Sequence, residues 1–191
     1  MPRLVPTAEI TLGPFFPPSY VDAGANDLTT CEGKTARGEV IEIHGTVTQH
    51  DGTPLHNVVL EIWQADANGI FCDAHDPRSQ EADPGFYGWG RAATDAAGRY
   101  WFRTIRPGRY AAANGTLRAP HVNLVVVFSG LMRQLSTVIF FDDGAGNGTD
   151  PVLTSVAPAL CARMLACGEG GGRYRFDVVL RGARESVFFD D

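Results

Sequence analysis

Tyr110 and His121 are the two residues whose types and spacing could serve metal chemistry. Tyr110 follows the turn signal Pro107-Gly108, and His121 lies eleven residues later, at the start of an apolar segment. Tyrosine phenolate is a hard anionic donor that suits ferric iron, and an imidazole beside a long loop can be a second ligand. Two donors do not hold a metal by themselves. The alternatives are aromatic packing for Tyr110 and a structural hydrogen bond between His121 and a loop carbonyl.

Other patterns that carry catalysis or metal binding do not occur in this sequence. It contains neither a G-x-S-x-G nor an H-E-x-x-H motif, so neither nucleophile-elbow hydrolysis nor a helical zinc site is indicated. The segment Asp142–Asp150 lacks the spacing and the closing Glu of a calcium loop. The four cysteines form no C-x-x-C pair, and we expect reduced thiols at Cys31, Cys72, Cys161 and Cys167.

Length and composition favour a single globular domain and exclude several classes of partner. The 191 residues are 44% hydrophobic and 20% charged, which provides enough apolar surface for a core. A net charge of −6 without a Lys/Arg cluster argues against nucleic-acid binding. No apolar run reaches the roughly 18 residues of a membrane-spanning helix, and residues 1–20 lack a secretion-signal pattern. We therefore expect a cytoplasmic protein that binds neither a membrane nor a nucleic acid.

The elements that must position these residues are mostly strands. Runs of β-branched or alternating apolar residues, separated by turn signals, predict strands at Val40–Thr48, Val58–Trp63, Arg99–Thr104, Val122–Phe128, Gln134–Phe141, Arg173–Arg181 and Ser186–Phe189. An Ala- and Leu-rich segment predicts one short helix at Val156–Ala166. This pattern is typical of an all-β protein, and we predict an antiparallel β-sandwich with long loops.

Two stretches stand apart from the predicted strands. Residues 1–38 are rich in Pro and Gly, which forbids a helix and discourages a sheet interior. We therefore predict an extended amino-terminal arm at residues 1–38 and a single sandwich domain at residues 39–191. Residues 68–90 form a long insertion between strands, and aromatic residues crowd its end. Loops of this length are usually functional or form interfaces.

A series of motifs resembles the intradiol ring-cleavage dioxygenases. Trp63 to Gly69 matches the W-Q-A-D-A-x-G signature of that family. Further matches occur in the family's order and cover nearly the whole chain: Thr11–Phe15 before the signature, and after it Gly88–Arg91, Thr94–Asp95, Gly98–Tyr100, Phe102–Gly108, Ala119–Asn123, Phe140–Asp143, Arg175–Asp177 and Val187–Asp190. The resemblance implies the β-sandwich fold of the family. It also implies a reaction in which O₂ opens an aromatic ring between two hydroxyl-bearing carbons.

The resemblance further implies where the metal ligands would stand. Iron-bearing members bind non-haem Fe(III) through two Tyr and an H-x-H pair, and at the matching positions this chain has Arg78, Tyr110, His121 and Asn123. If the alignment of the insertion shifts, Tyr87 takes the place of Arg78. A guanidinium keeps its proton and repels a ferric ion, and an amide is a poor substitute for imidazole. The chain is therefore similar to the iron-free α chain of two-chain members, in which a partner β chain binds Fe(III).

In such two-chain enzymes the active site forms where the chains meet. The resemblance gives this chain a wall of the substrate pocket, through the T-x-G-P part of the arm, and no catalytic residue. In that wall Gly13 lets the backbone approach a flat ring, Pro14 stiffens the turn, and Thr11 can donate a hydrogen bond to a substrate oxygen. Related α chains have an Arg where this chain has Ser129, which leaves recognition of a substrate carboxylate to the partner or to the nearby Arg133.

Two alternatives remain open from the sequence. The stretch from Thr94 to Tyr110 also resembles transthyretin-like modules, which would make the chain a non-catalytic binding module. A shifted ligand set of Tyr87, Tyr110, His121 and His75 would make it a self-sufficient intradiol enzyme. Co-purification with an iron-bearing chain would argue against the first alternative, and iron in the isolated chain would support the second.

Overall fold

Strands account for most of the regular structure. The computed structural model describes residues 16, 20, 24–129, 131 and 133–189. Its strands are Thr30–Cys31 (β1), Lys34–Thr35 (β2), Val40–Thr48 (β3), Val59–Trp63 (β4), Trp89–Ala93 (β5), Arg99–Ile105 (β6), Tyr110–Ala111 (β7), Leu117–Arg118 (β8), His121–Val127 (β9), Leu135–Phe141 (β10), Leu165–Gly170 (β11), Arg173–Arg175 (β12) and Val178–Val179 (β13). Its helices are Pro151–Ser155 (α1) and Pro158–Cys161 (α2), with 3-10 turns at Ser79–Glu81, Asn147–Thr149 and Ala162–Met164. No helix within these described ranges is long and apolar enough to cross a membrane.

Alternation of apolar and polar residues builds the central strand pair. β3 pairs antiparallel with β6 over seven residue pairs, from Val40 opposite Ile105 to Thr46 opposite Arg99. In β3 every second residue is buried, and Ile43 is fully buried in the core. A side-chain period of two directs one face of such a strand to the core and the other to solvent. β3 and β6 therefore form one layer of the sandwich.

The larger sheet contains nine strands and folds into the two layers of a sandwich. The strand order is β13-β3-β12-β11-β10-β9-β4-β5, and β6 also pairs with β3. Antiparallel pairs predominate, and three short parallel pairs join β10 to β11, β12 to β3 and β13 to β3. Inward-facing side chains from the β3–β6 region and from β4, β9 and β10 belong to one core cluster. The predicted all-β, antiparallel sandwich is confirmed.

The segment Val156–Ala166, predicted as one helix, is the main correction to the fold. Val156, which ends α1, and Ala157 have extended backbone. For Ala157 the cause is the ring of Pro158, which disfavours the helical conformation in the residue before it. Within the predicted range only α2 and the 3-10 turn Ala162–Met164 are helical, and β11 begins at Leu165. The other helix, α1, ends before the predicted range begins. The chain then enters β11, which was not predicted and which pairs in parallel with β10.

The carboxyl-terminal strands are shorter than predicted. The predicted strand Arg173–Arg181 is divided into β12 and β13 where the chain passes Gly45, at which a Cβ would lie 1.9 Å from the carbonyl oxygen of Phe176. The hydroxyl of Tyr100 donates a hydrogen bond of 2.6 Å to the same carbonyl. The predicted strand Ser186–Phe189 forms an isolated bridge to β10 through its last residue.

The described part of the arm lies against the sandwich. Leu28 is buried in the main core, and β1 and β2 form a small antiparallel hairpin. The backbone N–H of Arg91 donates to the carbonyl of Ala25 at 2.9 Å, which attaches this segment to the edge strand β5. The division into an arm at residues 1–38 and a domain at residues 39–191 stays a prediction.

Candidate functional site

The candidate site is a groove at one end of the sandwich, where β4 and β9 run side by side. Trp63, the last residue of β4, is the register partner of Asn123 in β9. The groove has a volume of about 530 Å³, and its wall includes Trp63, Phe71, Arg78, Tyr110 and Asn123. Three of the four positions that the resemblance marked as metal ligands, at residues 78, 110 and 123, therefore line one groove.

A buried carboxylate organises the loop that follows β4. Asp66 Oδ1 accepts hydrogen bonds from the backbone N–H groups of Asn68 and Ile70 at 2.8 and 3.0 Å, and Oδ2 accepts one from the N–H of Asp83 at 3.0 Å. The buried side chain of Gln64 donates to a carbonyl of β6 at 2.9 Å. The W-Q-A-D-A-x-G signature is therefore structural in this chain, because its polar side chains hold the insertion in place.

Two glycines bring the loops after β4 and β6 into backbone contact. A Cβ on Gly69, which has a φ of +73°, would lie 2.1 Å from the carbonyl oxygen of Arg109. A Cβ on Gly108 would lie 2.4 Å from the carbonyl oxygen of Ala67. Only glycine permits so close an approach of two backbones. The contact fixes the backbone just before Tyr110 and so directs that side chain towards the groove.

Tyr110 and His121 face each other through their polar atoms. Tyr110 Oη lies 3.5 Å from His121 Nε2, and His121 Nδ1 lies 2.7 Å from the carbonyl oxygen of Ala119. Because a carbonyl only accepts, Nδ1 carries the proton, and Nε2 is left as an acceptor facing the Tyr110 hydroxyl. Desolvation by burial lowers the pKa of His121 to about 4 and raises the pKa of Tyr110 above its ordinary value. Both side chains are therefore neutral at pH 7.

An ion pair next to these residues has no counterpart in the sequence-based predictions. Asp150 is 0% exposed, and its Oδ2 accepts from Arg118 Nε and from the backbone N–H of Ala119, both at 2.9 Å. Its Oδ1 accepts from the N–H of Val152 at 2.9 Å, which caps α1. Burial alone would raise the pKa of Asp150, but these donors hold it below its ordinary value. An Asp followed by Pro is a helix-start signal, and this pattern could have pointed to Asp150.

Arg78 and Asn123 are engaged with backbone carbonyls. Arg78 Nη2 donates to the carbonyl of Gly69 at 2.6 Å and lies 3.4 Å from a carboxylate oxygen of Asp76. Asn123 Nδ2 donates to the carbonyl of Trp63 at 3.1 Å. Arg78 therefore stabilises the loop after β4 from within, and Asn123 joins β9 to the end of β4.

The side chains at the four positions do not fit a ferric ion. Arg78 brings a positive charge that it cannot lose, and Asn123 offers an amide in place of an imidazole. The acceptor nitrogen of His121 faces the Tyr110 hydroxyl at 3.5 Å. Elsewhere in the described part of the chain, no group of three or more His, Cys, Asp or Glu side chains is arranged to hold a metal ion. We assign no metal-dependent step to this groove.

The groove presents an aromatic surface. Phe71 packs edge-to-face on Trp63, with ring centroids 5.5 Å apart, and on Tyr110, with centroids 5.1 Å apart. Such pairs prefer this geometry because the positive edge of one ring meets the negative face of another. The surface can pack a flat ring or side chains of another protein.

The remaining predicted residues have three different positions: one lines the groove, one lies apart from it, and three lie outside the described residues. Tyr87 is 58% exposed and is not among the residues that line the groove. His75 lines the groove, but its Nδ1 lies 2.7 Å from a carboxylate oxygen of Asp73 and its side chain is almost fully exposed. The residues predicted to form the pocket wall lie outside the described residues: Thr11, Gly13 and Pro14.

Comparison with known proteins shows similarity over the whole chain. A family model described as Dioxygenase matches residues 12–182. The protocatechuate 3,4-dioxygenase alpha chain of Burkholderia cepacia is 36% identical over 203 residues, covering 100% of both chains. The beta chain of the same enzyme from Burkholderia cepacia is 34% identical over 154 residues, covering 76% of this chain and 66% of that one.

A solved structure agrees with the fold. The dioxygenase domain of a dioxygenase and carbohydrate-binding protein fusion from Streptomyces sp. SirexAA-E superposes with a TM-score of 0.61 and 27% sequence identity. The match covers 94% of this chain and 100% of that one. The sandwich described above is therefore shared along nearly its full length.

Proposed function

We propose, because this chain belongs to the dioxygenase family, that it is the α subunit of a protocatechuate 3,4-dioxygenase. The observation that carries the proposal is the 36% identity to an alpha chain over the full length of both proteins. The proposed reaction is the cleavage of 3,4-dihydroxybenzoate by O₂ to 3-carboxy-cis,cis-muconate. The bond between the two hydroxyl-bearing carbons breaks and both atoms of O₂ enter the product, so the reaction needs no external reductant.

The Fe(III) of this enzyme is held by a partner β chain in our proposal. The chemistry of the groove in this chain supports that division, because Arg78 and Asn123 stand where two donors would be needed. A beta chain that is 34% identical to this chain exists in a related enzyme, which supports a partner of similar fold. The complex is proposed to be a cytoplasmic hetero-oligomer whose small-molecule partners are the aromatic acid and O₂.

The contribution of this chain to the reaction is to orient the ring. Thr11, Gly13 and Pro14 are proposed to form one wall of the pocket that contains the partner's iron. A glycine lets the backbone lie close to a flat ring, a proline restricts the turn, and a threonine hydroxyl can donate a hydrogen bond to a substrate oxygen. Holding a substrate in a reactive orientation lowers the barrier by removing its freedom to move.

Expression of this chain with and without its partner tests the proposal. We expect iron, the visible absorption of an Fe(III)–phenolate centre, and O₂ uptake with 3,4-dihydroxybenzoate only in the complex. Iron in the isolated chain would favour the self-sufficient enzyme with a shifted ligand set. A chain that forms no complex with an iron-bearing homologue would favour the transthyretin-like binding module.

A deletion series tests the role of the arm. Removing residues 1–18 takes away the T-x-G-P segment, whereas removing residues 1–9 leaves it in place. We expect the longer deletion to reduce turnover of the complex without unfolding the sandwich, and the shorter one to have little effect. Full activity after the longer deletion would contradict the pocket-wall role.

A further inference from the structure

Arg91 joins the amino-terminal arm to the outer face of the sheet. Arg91 Nη1 donates a hydrogen bond of 2.6 Å to the carbonyl of Tyr20, and the guanidinium carbon lies 3.9 Å from the centroid of the Tyr20 ring. The same guanidinium lies 4.9 Å from the ring centroid of Trp89. One side chain of β5 thus contacts both the backbone and the ring of an arm residue, which fixes Tyr20 in position and in orientation.

The Arg91 side chain is itself held in place by β4. Its Nε donates to Glu61 Oε1 at 2.7 Å, and Nη2 forms an ion pair with the same carboxylate oxygen. Both side chains are largely shielded from solvent. Because guanidinium is a rigid planar fork, a carboxylate on one edge directs the remaining N–H groups towards a defined point. In this chain the remaining group, Nη1, is directed to the carbonyl oxygen of Tyr20.

The attachment continues on both sides of Tyr20 within the described residues. The ring of Phe16 stacks on the ring of Tyr20 with centroids 5.4 Å apart. The backbone N–H of Arg91 donates to the carbonyl of Ala25 at 2.9 Å. The arm is thus attached to β5 at two points five residues apart, and Arg91 supplies a donor for both.

We propose that Arg91 is a positioning residue that sets where the arm of this chain reaches in the partner's pocket. The inference rests on the proposed function, in which Thr11, Gly13 and Pro14 form a wall of that pocket. Pro14 precedes Tyr20 by six residues, which corresponds to at most about 20 Å of extended chain. Holding Tyr20 in place therefore limits how far from β5 the proposed pocket wall can lie.

The first experiment measures the attachment in the full-length chain alone. Chymotrypsin cleavage after Tyr20 is followed by mass spectrometry in Arg91→Gln, Arg91→Lys and Arg99→Gln variants. Arg99 is the control, because its side chain also pairs with one carboxylate, Asp95, but donates no hydrogen bond to the described residues of the arm. We expect cleavage about tenfold faster in both Arg91 variants, which corresponds to about 1.4 kcal/mol, and an unchanged rate in Arg99→Gln.

Arg91→Lys separates arm attachment from fold stability. A lysine keeps the ion pair with Glu61 but cannot hold that carboxylate and donate to Tyr20 through one rigid fork. It should therefore release the arm while leaving the thermal unfolding temperature close to that of the unmodified chain. Tyr20→Phe provides a second control, because the contacts with Arg91 use the ring and the carbonyl of Tyr20. This variant should be cleaved at the original rate.

The second experiment measures the consequence in the complex with the partner chain. Arg91→Lys should raise KM for 3,4-dihydroxybenzoate about tenfold, with little change in kcat or in iron content, whereas Arg99→Gln should change neither constant. Cleavage of the Arg91 variants at the Arg99→Gln rate would overturn the inference. Faster cleavage with an unchanged KM would also overturn it. Absence of ring cleavage by the unmodified complex would instead refute the proposed function, and with it the role of Arg91 in catalysis.

Discussion

Asp150→Asn tests whether the buried ion pair beside the groove stabilises the fold. The substitution keeps the shape of the side chain, but it removes the charge and replaces one acceptor oxygen by an NH₂ donor. That group would face Arg118 Nε, the Ala119 N–H or the Val152 N–H, all of which are donors. Arg118, whose side chain is 14% exposed, would lose its counter-ion.

The expected loss of stability is large because the pair is shielded from water. Removing one partner of a buried ion pair costs about 3–5 kcal/mol. The residual exposure of Arg118 places this pair at the lower end, about 3 kcal/mol. For a chain of this length each kcal/mol corresponds to about 2–4 °C in Tm, so a decrease of about 6–12 °C is expected.

The pH dependence of the effect follows from the lowered pKa of Asp150. A carboxyl whose pKa is lower in the folded chain than in the unfolded chain stabilises the fold at pH values above its ordinary pKa. This contribution is lost as the pH falls through the lowered value. The difference in unfolding free energy between the unmodified chain and Asp150→Asn should therefore have its largest value at pH 7 and should become smaller below about pH 4.

Urea denaturation at pH 7 provides the measurement, and Asp143→Asn provides the control. Asp143 also pairs with an arginine, Arg106, but its side chain is 57% exposed, so its loss should cost less than about 1 kcal/mol. Adding Arg118→Met to Asp150→Asn should recover part of the stability, because no unpaired charge remains. If Asp150→Asn costs no more than Asp143→Asn, the buried pair does not have the role assigned to it.

Three further predictions concern the groove. Gly69→Ala should lower the free energy of unfolding, measured by urea denaturation, by more than about 2 kcal/mol, because its Cβ would lie 2.1 Å from a carbonyl oxygen at a positive φ. Gly148→Ala, which has open space around it, should lower it by less than about 0.5 kcal/mol. Equal losses would contradict the close backbone contact. Since the pKa of His121 is about 4 in the folded chain and about 6.5 when unfolded, only the unfolded chain takes up a proton there between these values, and stability should fall with decreasing pH by up to about 1.4 kcal/mol per unit. His121→Gln should remove this slope between pH 7 and pH 5, and an unchanged slope would refute the assignment. Arg78→Tyr combined with Asn123→His should confer Fe(III) binding with visible phenolate absorption that neither single variant shows; a colourless double variant would mean that other features of the groove prevent metal binding.

Local periodicity was sufficient to predict most of the sandwich. The alternating residues of β3 and β6 and the apolar runs of β9 and β10 lie within one or two residues of their predicted bounds. Pro158 excludes Ala157 from the predicted helix, because its ring disfavours the helical conformation in the residue before it. This effect outweighs the helix propensity of alanine. β11 was missed, because its residues are held by pairing with β10, a contact between distant parts of the chain that leaves no periodic signal.

The candidate site could be predicted only in part. The order of the motifs marked Tyr110, His121 and Asn123, and the structure brings them to one end of the sandwich. The ion pair between Arg118 and Asp150 joins residues 32 positions apart. Neither residue type by itself predicts that the side chain has a buried partner. Its role becomes visible only when burial and the complete set of donors around the carboxylate are known.

The loops around the groove are tied together by carboxylates that belong to the chain itself. Asp66 holds the loop after β4, and Asp150 holds the approach to β9. In many small metalloproteins a metal ion holds the loops together, and removal of the ion by a chelator unfolds the protein. In this chain side-chain carboxylates hold the loops, so a chelator should leave the fold intact.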